Sequence, residues 1–284
     1  MTALLALDTH PFLPGPGAEW GEPFWAPAAE AMTCHARPVG ETDQELGELL
    51  ALAAETDQLL ILYPLARQAR VEALLRVLRQ VNSTPIAGVA TRMPPLSAAV
   101  LALLLRRLGG RPGWDAGHLA AVVPLLERQV TAVSWVRRIG RPVRAAAVAG
   151  SRPFGPGWLS VNGFEIRMDG QHPEGLRIAP HRGVPVSMPE GNLAFAVGRR
   201  GDEGRLAPVA VWAGEPGGSA RSWYATSRSA ELVFLDAALA TLTEDVERAL
   251  AAQVRLRDCE WCGSPTPSVA TSYAFCANVP AIGA

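Results

Sequence analysis

Three of the four cysteines lie within the last 26 residues, and their spacing is the strongest chemical signal in the sequence. Cys259 and Cys262 are separated by two residues and followed by Gly263, and Cys276 comes after thirteen more residues. A Cys-x-x-Cys-Gly turn places two thiolates on one side of a metal ion, because the glycine lets the chain fold back toward the sulfurs. The pattern predicts a zinc site with Cys276 as the third ligand.

A fourth ligand is missing near these three cysteines. A second Cys-x-x-Cys pair would need cysteine at position 279, where Val279 stands. We therefore expect Cys34, or the adjacent His35, to complete the site and to join the C-terminus to the first domain. Three thiolates and a water molecule would instead form an open site, as in zinc enzymes.

The same region allows two other interpretations. Cys259 and Cys262 could form a thiol–disulfide pair, although the neighbouring Asp258 and Glu260 oppose thiolate formation and so disfavour reactivity. Residues 264–284 carry several hydroxyl side chains and no charge, which is also typical of a fused, modifiable peptide tail. Docking of this tail on the second domain or on a partner is the simpler explanation.

A second group of reactive side chains follows the predicted strands of the first domain. Asp8 and His10 come directly after the first apolar run, and Arg92 follows a later one. Ligands of open α/β sheets bind beyond the carboxyl ends of the strands. Asp8 and His10 could bind a metal or act as a carboxylate–imidazole pair, and Arg92 could hold an anion. The alternative is that Asp8 and His10 cap backbone groups where the strand ends.

The run Asp8-Thr9-His10 resembles the start of the Asp-x-His-x-x-Gly motif of cobalamin-binding domains. The resemblance covers about the first 110 residues and implies a flavodoxin-like domain, with His10 as the lower cobalt ligand and Asp8 as its hydrogen-bonded partner. Leu13 stands where that motif has glycine. The order of helices and strands is also similar to that of response-regulator receivers. Receivers have an acidic pair after the first strand, an aspartate after the third and a later lysine, and of these residues this sequence has Asp8 alone.

The elements that must position these residues alternate regularly up to residue 110. Short apolar runs such as Leu59–Tyr63 are separated by segments with helical spacing, such as Val71–Val81. This alternation predicts an α/β fold whose first domain is a flavodoxin-like parallel sheet with helices on both faces.

The remainder of the chain has a different pattern. Apolar residues at helical spacing predict one long helix over His118–Val136. Short alternating runs such as Phe164–Met168 then predict a small antiparallel sheet. Residues 231–257 again favour helix, followed by the cysteine hairpin. We therefore divide the chain into an α/β domain (1–110), a helix with a β-rich α+β region (111–230), and a C-terminal helix and cysteine tail (231–284).

Composition excludes several classes of function. All 26 basic residues are arginine, so mechanisms that need a Schiff-base or Walker-A lysine are excluded. A formal net charge of −1 argues against nucleic acid as a partner. No apolar run is long enough for a membrane span, and the first residues lack the basic region of a signal peptide. We therefore expect a cytoplasmic protein with reduced thiols.

No complete catalytic constellation is evident in the sequence. Trp20 and Trp25 lie in a Pro/Gly-rich loop, and the tail is apolar. These features predict a non-catalytic accessory subunit that binds a protein or peptide partner. The competing prediction is a metal- or cobalamin-assisted enzyme with its site at Asp8 and His10.

Overall fold

The first sheet contains four parallel strands. The computed structural model describes residues 2–7, 33–37, 43–136, 163–169, 177–181, 193–199, 210–213, 229–235, 239, 243–260, 262–268 and 274–276. The strands are β1 Thr2–Leu7, β2 Thr33–Arg37, β3 Gln58–Pro64 and β4 Ile86–Thr91. Their order is β2-β1-β3-β4, and all three pairs are parallel. This order is that of the first four strands of a flavodoxin-like sheet.

Helices cover both faces of this sheet. They are α1 Asp43–Ala54, α2 Gln68–Val81, α3 Pro95–Gly109 and α4 Ala116–Glu127, with a 3-10 turn, Leu65–Arg67, before α2. Successive strand residues point to opposite faces. Leu4 and Leu60 therefore pack with α3 and α4, whereas Leu5 and Leu59 pack with α1 and α2. Because these leucines are fully buried, each contributes roughly 1.5–3 kcal/mol relative to an exposed position.

A second sheet follows α4. Its strands are β5 Val130–Val136, β6 Gly163–Asp169, β7 Arg177–His181, β8 Leu193–Arg199, β9 Ala210–Ala213 and β10 Ser229–Leu235. Their order is β7-β6-β5-β10-β8-β9. β10 pairs antiparallel with β5 and parallel with β8, so the sheet is mixed. The larger hydrophobic cluster joins β1, α3 and α4 to β5 and β10.

The chain then forms α5 Glu244–Gln253 and a two-stranded hairpin, β11 Leu256–Asp258 and β12 Pro265–Pro267. An ion pair of 3.4 Å between Arg111 Nε and Glu247 Oε1 ties α5 to the loop after α3. Among the described residues, no helix is both long and apolar enough to cross a membrane.

The predicted α/β class is confirmed, but two predicted helices are wrong in part. The helix predicted over His118–Val136 ends at Glu127, and β5 begins at Val130. Apolar β-branched residues fit a buried strand as well as a helix, and pairing with β6 and β10 selects the strand. The helical prediction for 231–257 is wrong for its first residues, which belong to β10. The predicted antiparallel region is larger than expected and contains the parallel pair β8–β10.

Candidate metal centre

The loop between β11 and β12, residues 259–264, carries two of the three C-terminal cysteines. The backbone N–H of Cys259 donates to the carbonyl oxygen of Ser264 at 3.0 Å, and the N–H of Gly263 donates to that of Cys259 at 2.8 Å. Gly263 has φ +68°, a left-handed conformation that residues with a Cβ rarely adopt. The glycine therefore permits the turn that returns Cys262 toward Cys259.

Cys276 lies on a short return segment (residues 274–276). The N–H of Ala274 donates to Oγ1 of the buried Thr266 at 3.3 Å, and its carbonyl oxygen accepts from the N–H of Gly88 on β4 at 3.0 Å. Phe275 is buried in the larger hydrophobic cluster. The return segment is therefore held by β12, by the edge strand β4 and by the core.

Arg79 on α2 binds the same carbonyl group. Its Nη2 donates to the carbonyl oxygen of Ala274 at 2.5 Å, and its Nε donates to that of Ile86 at 3.0 Å. Burial lowers the pKa of the Arg79 guanidinium, and negative charge on Cys276 and Cys262, among other groups, opposes that shift. Arg79 is thus a partly desolvated cation close to the sulfur atoms.

The three Sγ atoms of Cys259, Cys262 and Cys276 all lie within 4.8 Å of one another. The Sγ atoms of Cys259 and Cys276 are 3.6 Å apart, well beyond the disulfide bond length of about 2.05 Å, and none of the three cysteines forms a disulfide. A tetrahedral zinc ion with Zn–S bonds of about 2.3 Å holds its sulfurs about 3.8 Å apart. The 3.6 Å separation of Cys259 and Cys276 is therefore close to the one that two zinc ligands require, and the group could hold a metal ion.

The three thiols differ in their access to solvent. Cys259 is buried, with 3% of its surface exposed, whereas Cys276 is half-buried and Cys262 is exposed. Three thiolates around a divalent cation carry a net charge of −1, and the guanidinium of Arg79 offsets that charge. The arrangement can hold a soft divalent ion with one side facing solvent.

The β11–β12 hairpin sits tightly against α4. A Cβ atom placed on Gly117 would lie 2.6 Å from the carbonyl oxygen of Pro265 and 2.8 Å from its Cγ. Only glycine permits this approach, so close packing against α4 fixes the position of the hairpin that carries Cys259 and Cys262.

The structure does not bring the predicted fourth ligand to the thiols. Cys34 lies on β2, in register with Leu4, at the opposite edge of the sheet from β4. Three strand spacings of about 4.8 Å separate these edges by about 14 Å, and the return segment lies at the β4 edge. His35 also lies on β2, and therefore at the same distant edge of the sheet. Within the described residues, the group of possible metal ligands consists of Cys259, Cys262 and Cys276.

The predicted strand-end site is described only in part. Asp8 and His10 lie outside the described residues, so a metal or cobalamin there stays a prediction. Arg92 is exposed, and its charge and its backbone N–H act on Glu127. Burial raises the pKa of Glu127, while the hydroxyl of Thr91, 2.5 Å away, and Arg92 oppose this shift. No sequence motif points to Glu127, whose carboxylate interacts with Arg92.

Comparisons with known proteins concern the fold. No known family matches the sequence, and no curated protein matches it. The chain is similar in structure to a DegV family protein from Corynebacterium glutamicum, at 12% identity and a TM-score of 0.41, over 70% of this chain and 79% of that one. It is also similar to a DegV family protein from Eubacterium eligens, at 11% identity and a TM-score of 0.48, over 83% of this chain and 100% of that one.

The prediction of an accessory subunit that binds a protein or peptide partner is wrong. Both solved structures named above are of DegV family proteins, and the one from Eubacterium eligens is loaded with heptadecanoic acid, a fatty acid. A fatty acid is a different class of ligand from a protein or a peptide.

Proposed function

We propose that the protein binds one zinc ion through Cys259, Cys262 and Cys276, and that the ion has a structural role. The observation that carries this proposal is the grouping of three Sγ atoms within 4.8 Å of one another. The ion would connect the loop between β11 and β12 to the return segment. A water molecule, or a residue outside the described ranges, would supply the fourth ligand.

The donor atoms favour zinc in a structural role. Thiolates select zinc, copper(I) and iron–sulfur clusters over magnesium and calcium. Sites made of thiolates with at most one or two histidines are typical of structural zinc, whereas catalytic zinc sites usually include histidine or carboxylate ligands. Cys259 is buried, and the return segment is hydrogen-bonded to three other elements, β4, β12 and α2, which also supports a fixed site.

The metal would stabilise the C-terminal part of the fold. Within the described part of 259–276, the one regular element is the three-residue strand β12, so the position of these residues depends on a few hydrogen bonds and on Phe275. A ligand that binds only the folded protein stabilises it by about 2.7 kcal/mol when its free concentration is a hundred times its dissociation constant. We therefore expect a chelator to lower the melting temperature and added zinc to restore it.

Elemental analysis tests the proposal directly. Protein purified under reducing conditions should contain one zinc ion per chain, and Cys259→Ser should remove it. The matched control is Cys34→Ser, which changes the one cysteine outside the cluster and should retain the metal. A wild-type protein that binds no zinc, as isolated or after reduction and zinc addition, would overturn the proposal. Loss of zinc in Cys34→Ser would instead show that β2 supplies a ligand.

A further inference from the structure

The three thiols are arranged so that one is accessible to oxidants and the other two are poised to bond with each other. Cys262 is exposed, whereas Cys259 is buried. The Sγ atoms of Cys259 and Cys276 are 3.6 Å apart, and a disulfide would require them to approach by about 1.5 Å. Cys262 Sγ lies within 4.8 Å of both.

We infer that this cluster is also a site of reversible oxidation by hydrogen peroxide. The oxidant reacts at Cys262, and the stable product is a disulfide between Cys259 and Cys276. The release of the ion in this reaction rests on the proposed zinc site. The choice of disulfide partners rests only on the positions of the sulfur atoms.

The chemistry balances with peroxide as the only oxidant. The Cys262 thiolate attacks one peroxide oxygen, the O–O bond breaks, and a sulfenic acid and a hydroxide ion result. The Cys276 thiolate then attacks the sulfur of Cys262 and expels a second hydroxide. The Cys259 thiolate attacks the sulfur of Cys276 and releases the Cys262 thiolate. In sum, two thiols and one peroxide give one disulfide and two waters.

The final exchange favours the Cys259–Cys276 pair because the surrounding hydrogen bonds already hold those two residues in place. The turn that carries Cys259 is closed by the bond from Gly263, and the return segment is anchored through both backbone groups of Ala274. Two hydrogen bonds of Arg79 go to backbone carbonyl oxygens, so these two bonds do not depend on the thiolates. The disulfide therefore keeps the return segment docked after the ion has left.

The experiment treats zinc-loaded protein with hydrogen peroxide and follows zinc with a metallochromic indicator. Trypsin leaves all three cysteines on the peptide 258–284, because no Arg or Lys follows Arg257. Chymotrypsin separates them, since it can cut after Trp261 and Tyr273. Mass spectrometry of the unreduced digest should show Cys259 joined to Cys276, with Cys262 available for alkylation. Dithiothreitol and zinc should restore the starting state.

Variants assign the order of events. In metal-free protein, Cys262→Ser should slow peroxide-dependent thiol loss several-fold and still yield the Cys259–Cys276 disulfide. Cys34→Ser should oxidise like the wild type. A Cys259–Cys262 disulfide, a bond between two chains, or a wild-type rate in Cys262→Ser would overturn the inference.

Failure of this inference and failure of the zinc proposal give different results. Protein that never binds zinc but forms the Cys259–Cys276 disulfide would overturn the metal proposal alone. Protein that binds zinc but, under peroxide, keeps the ion and keeps all three cysteines reduced would overturn the oxidation site alone. Oxidised wild-type protein should also keep a higher melting temperature than metal-free Cys276→Ser, which can form neither link to the return segment.

Discussion

The substitution Gly117→Ala tests whether the β11–β12 hairpin packs against α4 as closely as the structure indicates. The new Cβ would lie 2.6 Å from the carbonyl oxygen of Pro265 and 2.8 Å from Pro265 Cγ, and both neighbours are parts of a constrained ring or backbone. Relief requires the hairpin or the helix to shift by roughly half an ångström, and overpacking of this kind typically costs 1–3 kcal/mol.

A smaller effect opposes this cost. Replacing glycine by alanine in a helix interior stabilises by about 1 kcal/mol, but Gly117 is only the second residue of α4, where the gain is smaller. The steric cost therefore prevails, and we expect Gly117→Ala to lower the free energy of unfolding by about 1–2 kcal/mol. Zinc affinity should fall as well, because the displaced hairpin carries Cys259 and Cys262.

Gly47→Ala is the matched control for this prediction. Gly47 is exposed in the middle of α1, and a Cβ there would meet nothing within 4 Å. The helix-propensity gain should then appear without opposition, as a stabilisation of about 1 kcal/mol. Urea denaturation followed by circular dichroism measures both changes. If Gly117→Ala proved as stabilising as Gly47→Ala, the hairpin could not be packed against α4 as described.

The remaining predictions concern Arg79 and Glu127. Arg79→Met should lower the free energy of unfolding by about 2–4 kcal/mol, because it removes two charge-assisted hydrogen bonds. Arg76→Met, on the exposed face of the same helix, is the control and should change the free energy of unfolding by less than about 0.5 kcal/mol. Urea titration measures both. Burial raises the pKa of Glu127 in the folded state above its ordinary 4.5. Between pH 4.5 and the raised pKa, the folded state therefore binds more protons than the unfolded state. The contribution of Glu127 to stability is thus full at pH below 4.5 and falls as pH rises through the raised pKa. The free energy of unfolding, measured over this pH range, should fall less steeply with rising pH in Glu127→Gln than in the wild type. An unchanged pH dependence would contradict the burial of Glu127 in the folded state.

Local sequence patterns were enough to predict the α/β class and two of the site's features. Buried strands such as Leu59–Tyr63 and helices such as α2 follow from apolar periodicity, which depends on neighbours within a few residues. The turn at Cys259 and Cys262 follows from the Cys-x-x-Cys-Gly spacing, because the chain between the two thiols is too short to separate them. Cys276 was correctly grouped with them.

Only the tertiary structure decided which distant elements meet. Residues 130–136 fit a helix or a strand equally well in sequence, and their pairing with β6 and β10 makes them a strand. Arg79 has no motif, and its role depends on Ala274, 195 residues away along the chain. Cys34 looked suitable as a fourth ligand by residue type, but strand order places it on the far edge of the sheet. Residue type and spacing determine which side chains can bind a metal, whereas strand order and packing decide which of them lie close enough to do so.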